Sequence, residues 1–211
     1  MNHVILHYPF GGGGNFVKNC INLDQHYDSY WSTNREESLI NYYLDNSDSW
    51  LEREWRVRSH LLKHYDGPVL KSIPQDVNLV LDCHGDKKEY NFFLKNTLPG
   101  NLKHIFLLPD DIDWLNKLYL SKLGNASDLS EEQTIHNNNL NFSRLLKIKK
   151  HLQVKEHFVV EQLFKTPDVV LEIIRFLKCR ADRKTVIRCW EIRVEQTAKL
   201  YERHHGKIFR T

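Results

Sequence analysis

The residues of this chain whose types and placement suit chemistry are the run Gly11-Gly12-Gly13-Gly14-Asn15-Phe16 and the histidine at His84. Four of the nine glycines stand in that one run. It follows a short apolar stretch, Val4-Ile5-Leu6, and precedes a helical pattern in which Phe16, Val17, Cys20 and Ile21 share a face. A strand, a glycine turn and a helix bring backbone close to an anion: the first helical amides point at it and the helix dipole favours negative charge there. Asn15 is the expected N-cap. No Gly-Lys-Ser/Thr follows the glycines, so the lysine and magnesium-binding hydroxyl of an ATP-type phosphate loop are missing. The competing reading is a plain glycine hinge between strand and helix.

His84 stands in Cys83-His84-Gly85-Asp86, directly after the mostly apolar Asn78-Leu79-Val80-Leu81-Asp82. A histidine at a strand end suits a general base, and Asp82 or Asp86 is available to orient its ring. With twelve histidines in the chain, a surface histidine in a turn is an equal alternative. His60 and His64 lie one helical turn apart, a spacing that chelates a metal, yet no third ligand follows by spacing, so no metal site is expected.

These residues need elements to hold them. The pattern predicts strands over 4–8, 78–83, 104–108 and 157–160. Helices are expected over 15–23, 36–44, 49–65, 88–95 and 111–122, and a longer one from the Ser130-x-x-Gln133 box to about 150. Thr166 is expected to cap a helix with Pro167 at its first position and Val169, Val170, Ile173, Ile174 and Leu177 as its apolar stripe. A last helix runs from about 182 to 205, with Val186, Trp190, Val194 and Tyr201 for packing. The stretch 24–34 is read as a surface connection. Short apolar strands alternating with helices imply an α/β fold: a three-layer parallel sheet of four to five strands with helices on both faces. Ligands in such sheets bind at the carboxyl ends of the strands, which is where the glycine run, His84 and Pro109-Asp110 all fall.

At 211 residues the chain suits a single domain, 1–211, with 181–211 as a C-terminal helical segment. Apolar residues make up 41%, and no apolar run approaches the length of a membrane span. The first residues lack the pattern of a signal peptide. Cys20, Cys83, Cys179 and Cys189 are scattered and read as buried free thiols of a cytoplasmic protein. A formal charge of +3 suits an anionic ligand and is too small to argue for nucleic acid. Arg175, Arg180, Arg183, Lys184, Arg188 and Arg193 form either a partner-binding face or a solvated helix surface.

Taken in order, the pieces resemble the sulfotransferase branch of the phosphate-loop fold. Gly12-Gly13-Gly14-Asn15-Phe16 stands where that family has its 5′-phosphosulfate loop. Leu79-Val80-Leu81-Asp82-Cys83-His84 resembles the strand that ends in the family's catalytic histidine. Residues 104–122 resemble the element carrying its 3′-phosphate contacts. The segment Val159-Val160-Glu161-Gln162-Leu163-Phe164-Lys165-Thr166-Pro167, continued by Leu171 and Arg175-Phe176-Leu177, is similar to its Tyr-Glu-Asp-Leu, Asp-Pro and Phe-Leu-Gly pattern. The resemblance implies an anionic nucleotide, 3′-phosphoadenosine 5′-phosphosulfate (PAPS), held by Gly11, Gly12, Gly13, Gly14, Asn15, Phe16 and Lys117, and a hydroxyl acceptor deprotonated by His84. The chain departs from the family at Gly11, near the place of a lysine, and at Pro109 and Lys117, where an arginine and a serine are usual. The late basic loop of the family would correspond to 203–207. Two further readings stand beside it: a non-catalytic phosphate-loop protein used for binding or assembly, and a nucleotide kinase with Asp110-Asp111 on magnesium.

Overall fold

The computed structural model describes residues 3–24, 26–28, 78–95, 102–123, 128–206 and 209. The helices expected over 36–44 and 49–65, with His60, His64, Trp31, Trp50 and Trp55, lie outside the described residues.

Among the described residues five strands form one sheet: β1 (His3–His7), β2 (Tyr27–Asp28), β3 (Asn78–Cys83), β4 (Leu102–Leu108) and β5 (Phe158–Val159), in the order β2-β3-β1-β4-β5. Every pairing is parallel, with Leu6 set beside Asp82 on one side and Ile105 on the other. The helices among the described residues are α1 (Gly14–Ile21), α2 (Lys87–Lys95), α3 (Ile112–Leu123), α4 (Glu131–His151), α5 (Val160–Lys165), α6 (Asp168–Phe176) and α7 (Arg183–His205). The chain is thus α/β, a parallel sheet flanked by helices.

All five residues of β1 are buried, as a central parallel strand covered on both faces requires. The two-residue period divides them. Val4, Leu6 and Tyr8 face a core built with Phe16, Val17, Cys20 and Ile21 of α1, Leu115 and Leu118 of α3, and apolar residues of α5, α6 and α7. Ile5 faces a second core with Leu81, Cys83, Phe106 and Leu108, closed by Phe93 of α2 and Leu145 and Ile148 of α4. From β1 the chain leaves toward β2 and β3, whereas from β4 it leaves toward β5, so the carboxyl ends of β1 and β4 flank the crevice where the connections diverge.

Several expectations need correction. Asn15 does not cap α1: Gly13 occupies that position in a left-handed conformation, φ 76°, without a side-chain cap. The surface connection expected over 24–34 includes β2, whose Tyr27 is buried with its hydroxyl donating to Leu177 O at 3.1 Å. The strand expected over 157–160 shortens to Phe158–Val159, because Val160–Lys165 turns into a helix. The Ser130 and Gln133 capping box forms with both reciprocal bonds. Thr166 and Pro167 each fall one position earlier than expected: Pro167 is the N-cap of α6, without a side-chain cap, and Thr166 closes α5, with its Oγ1 accepting the Asp168 N–H at 3.2 Å. Of the basic residues grouped above, Arg175, Arg180, Arg183, Lys184 and Arg188 are exposed, but Arg193 is fully buried. All four cysteines are free thiols. Among the described residues no helix is long and apolar enough to cross a membrane.

Candidate functional site

The glycine run leaves β1 through a turn closed by Gly12 N–H donating to Pro9 O at 3.0 Å, and the first helical bond is Val17 N–H to Gly13 O at 3.2 Å. The amides of residues 14–16 therefore precede the helical ladder and lie at the positive end of α1. Two glycines are demanded by their neighbours. A Cβ at Gly14 would meet the Tyr8 ring at 2.1 Å, and one at Gly13 would meet Leu163 Cδ2 at 2.8 Å and Arg193 Nη2 at 2.9 Å. Tyr8 is buried against the loop and donates its hydroxyl to Asn15 Oδ1 at 2.8 Å.

The entry to the loop is pinned from α4. Asn138, fully buried, accepts the Phe10 N–H at 3.0 Å and donates back to Phe10 O at 3.3 Å and to Asn116 Oδ1 at 2.8 Å. Both backbone groups of Phe10 are thereby satisfied by one amide side chain.

His84 lies beside this loop. Its Nδ1 is 3.2 Å from Tyr8 O, its ring stacks on Phe10 at 4.6 Å, and Tyr8 meets it edge-on at 4.5 Å. A carbonyl only accepts, so Nδ1 is the donor in this contact. The two nearby carboxylates have other work. Asp82 pairs with Lys18, and Asp86 Oδ1 caps α2 by accepting Glu89 N–H at 2.8 Å. Glu89 in turn accepts His84 N–H at 2.8 Å and Asp86 N–H at 2.9 Å. Burial, reinforced by Asp86, pushes the Glu89 carboxyl up to about 8.

On the far side of β1, His7 Nε2 and His104 Nδ1 share a hydrogen bond at 2.9 Å, and the His7 ring stacks on Phe106 at 4.1 Å. Burial holds His7 well below the ordinary histidine range and brings His104 down to about 4, so the pair is neutral.

The structure brings together Gly11–Phe16 and His84. It sets Lys117 apart. The α3 side chains against Gly11 are Leu115 and Tyr119, each two residues from Lys117, which is exposed on the opposite side of the helix. Glu161 reaches the exit of β4, where its carboxylate accepts the N–H groups of Asp110 at 3.1 Å and Asp111 at 2.8 Å.

The residue that sequence reasoning left on a surface is Arg193. It is fully buried, and its Nε, Nη1 and Nη2 have no hydrogen-bond partner. Its guanidinium lies between the rings of Phe16, at 4.9 Å, and Phe164, at 4.8 Å. Two such ring contacts contribute about 4 kcal/mol when desolvated. Burying an unpaired ion costs several kcal/mol, with about 1–3 kcal/mol more for each unmade donor. The rings alone leave the cation in deficit. A charge on an apolar stripe was the available signal: Val186, Cys189, Arg193 and Thr197 recur at helical spacing and all four are buried.

Taken as donors, amides at a helix start with a buried fork of N–H groups behind them suit an oxyanion. The chain matches no protein-family model, no curated protein and no solved structure.

Proposed function

We propose that the chain binds a phosphorylated nucleotide at Gly11–Phe16 and transfers a sulfuryl group to a hydroxyl acceptor, on a phosphate-loop frame of the sulfotransferase type. The observation that carries this reading is the attachment of His84 to the loop's own strand, Nδ1 to Tyr8 O at 3.2 Å. It brings the histidine ring beside the glycine turn. PAPS, when bound, supplies an activated sulfur–oxygen bond and a bisphosphate leaving group. Nε2 of His84 takes the proton of the acceptor hydroxyl. The helix-start amides, with the α1 dipole behind them, hold the negative charge that develops on the leaving phosphate.

Sulfuryl transfer is favoured over phosphoryl transfer by how the charges are committed. Phosphoryl transfer relies on a lysine and a metal-binding acid at the loop. Here Lys18 and Asp82 cancel one another. Asp111 Oδ1 caps α3 through the N–H groups of Asp113 and Trp114, at 2.9 and 3.0 Å. The same cancellation of Lys18 favours, as a second reading, a non-catalytic protein that only binds the anion.

A ligand-shift measurement with adenosine 3′,5′-bisphosphate and with ATP plus magnesium, combined with a sulfuryl-transfer assay over a panel of hydroxyl acceptors, tests the reading. The bisphosphate is expected to raise the melting temperature of wild type and His84→Ala alike. Transfer falls by about 10²–10⁴ in the variant, the usual worth of a general base. Undiminished transfer in His84→Ala removes it from the mechanism. A shift with the bisphosphate but no transfer on any acceptor favours the binding protein, and a magnesium-dependent ATP shift favours a nucleotide kinase.

A further inference from the structure

We propose that Arg193 completes an oxyanion site at the Gly13–Asn15 turn, so that α7, from the far end of the chain, supplies the positive charge that the glycine loop lacks in its own sequence. The proposal rests only on the anion-binding half of the function proposed above. The ligand group is a compact tetrahedral oxyanion, a phosphate or sulfate, either free or carried on a nucleotide.

Four observations converge on this assignment. First, the guanidinium is fully buried with all three nitrogens unpartnered, and a cation so placed calls for a counter-ion. Second, it is aimed at the loop. The place of a Cβ on Gly13 is 2.9 Å from Nη2, so only glycine hydrogens separate the guanidinium from the turn. Third, its plane is held in advance. Phe16 and Phe164 lie on it at 4.9 and 4.8 Å, and Trp190 Nε1 donates to Leu163 O at 2.7 Å, steadying the residue that closes its side. A planar fork fixed by ring faces keeps its edge N–H groups for an oxyanion, whose geometry it matches.

Fourth, the described residues offer no substitute. Among the described residues, Cys20 is an ionisable group coupled to Arg193, and burial holds its thiol well above its ordinary range and therefore neutral. The other cation near the loop, Lys18, is matched by Asp82. As mere filler of an apolar core, a leucine or methionine would serve better.

The test measures melting temperature and binding by calorimetry at constant ionic strength. The probes are inorganic phosphate, pyrophosphate and adenosine 3′,5′-bisphosphate, with sodium chloride as the control. The wild-type protein is expected to be stabilised by at least one probe beyond the chloride control. A bisphosphate response without a phosphate response assigns the oxyanion to a nucleotide; comparable responses to all three assign it to free phosphate. Arg193→Met keeps the side chain's length and removes its charge. It is expected to melt at or above the ligand-free wild type while binding the same probe at least tenfold more weakly. Arg193→Lys keeps the charge without the fork, folds in either case, and is expected to weaken binding by about tenfold. The proposal is overturned if wild type responds to none of the three probes, or if either variant binds with unchanged affinity. Loss of sulfuryl transfer alone does not touch it: a phosphate response that depends on Arg193, without any transfer activity, removes the enzymatic reading and leaves this site standing.

Discussion

Lys18 of α1 and Asp82 of β3 form an ion pair beneath the glycine loop, with side-chain exposures of 0% and 2%. The alternation of the sheet explains it. Val80 and Asp82 point to the face that α1 covers, whereas Leu81 and Cys83 point to the other. An acid on a strand buried on both faces must meet a cation, and the fifth residue of α1 presents it. Lys18 also donates to Asn15 Oδ1 at 3.3 Å, so one ammonium ties the end of β3, the start of α1 and, through Asn15, the hydroxyl of Tyr8.

This pair sets the first prediction. Removing one partner leaves an uncompensated buried charge, which costs about 3–5 kcal/mol, whereas replacing both by apolar groups is often nearly neutral. Lys18→Met should therefore lose about 3–5 kcal/mol in urea unfolding, and Lys18→Met combined with Asp82→Leu should recover most of it. Phosphate affinity in the double variant should equal that of wild type. A large loss of affinity there would mean that Lys18 reaches the ligand.

The second prediction separates backbone strain from collision. Gly13 and Gly206 both have positive φ, at 76° and 59°. A Cβ at Gly206 meets nothing within 4 Å, while one at Gly13 meets Leu163 and Arg193. Gly206→Ala should cost about 1 kcal/mol, the left-handed penalty alone. Gly13→Ala should cost about 3 kcal/mol, since overpacking adds roughly 1–3 kcal/mol. Equal losses in equilibrium unfolding would mean that neither Leu163 nor Arg193 stands hard against the loop.

Much of the frame was legible from residue order. Strands β3 and β4 announce themselves as short apolar runs, because a parallel strand is covered on both faces. The Ser130 box and the Val169–Leu177 stripe fixed two helices by chemistry that acts within one turn. The elements that were misread are the shortest. Tyr27 and Asp28 are two residues in a polar stretch, and only pairing with β3 makes them a strand. The six residues of α5 span too few turns to show a period. At the site, sequence placed the glycine loop and His84 at neighbouring strand ends, but Arg193 fell in a basic set read as a partner-binding face or a solvated helix surface. Which face of a helix is buried depends on what packs against it. Asn138 had a weaker signal: Asn137-Asn138-Asn139 is a run of poor helix formers inside a helix, a pattern that suggests side-chain work.

The third prediction concerns that asparagine. Asn138→Ala strands the N–H and carbonyl of Phe10, both bonded to its amide. At about 1–3 kcal/mol for each of the two buried groups left unmade, the variant should lose roughly 2–6 kcal/mol in urea unfolding. Asn139→Ala, whose Oδ1 accepts from Asn116 Nδ2 at 2.8 Å, leaves Phe10 untouched and should lose about 1 kcal/mol. Amide exchange at Phe10 should accelerate in the first variant and not in the second.

The fourth prediction is a stability maximum near pH 6.5, set by groups of opposite sign. Burial lowers His7 and brings His104 to about 4. Between about 4 and 6.5 the unfolded chain holds protons on these rings that the folded chain does not, so stability rises with pH in that window. Glu89, raised by burial to about 8, behaves oppositely. From its ordinary range near 4.5 up to 8 the folded chain keeps a proton that the unfolded chain has released, so this contribution falls as pH rises. Below 6.5 the two histidines together outweigh the one carboxyl, and between 6.5 and 8 the carboxyl outweighs them. Above pH 9 the buried thiols continue the decline, with Cys179 pushed up to about 11 and Cys189 to about 12. Melting temperature should climb from pH 4.5 to 6.5 and fall from 6.5 to 8. Glu89→Gln can still accept the His84 and Asp86 amides through its side-chain oxygen and no longer titrates. It should flatten the fall between 6.5 and 8 while leaving the acid limb in place. A profile in which Glu89→Gln follows wild type from pH 6.5 to 8 would assign the decline to another group.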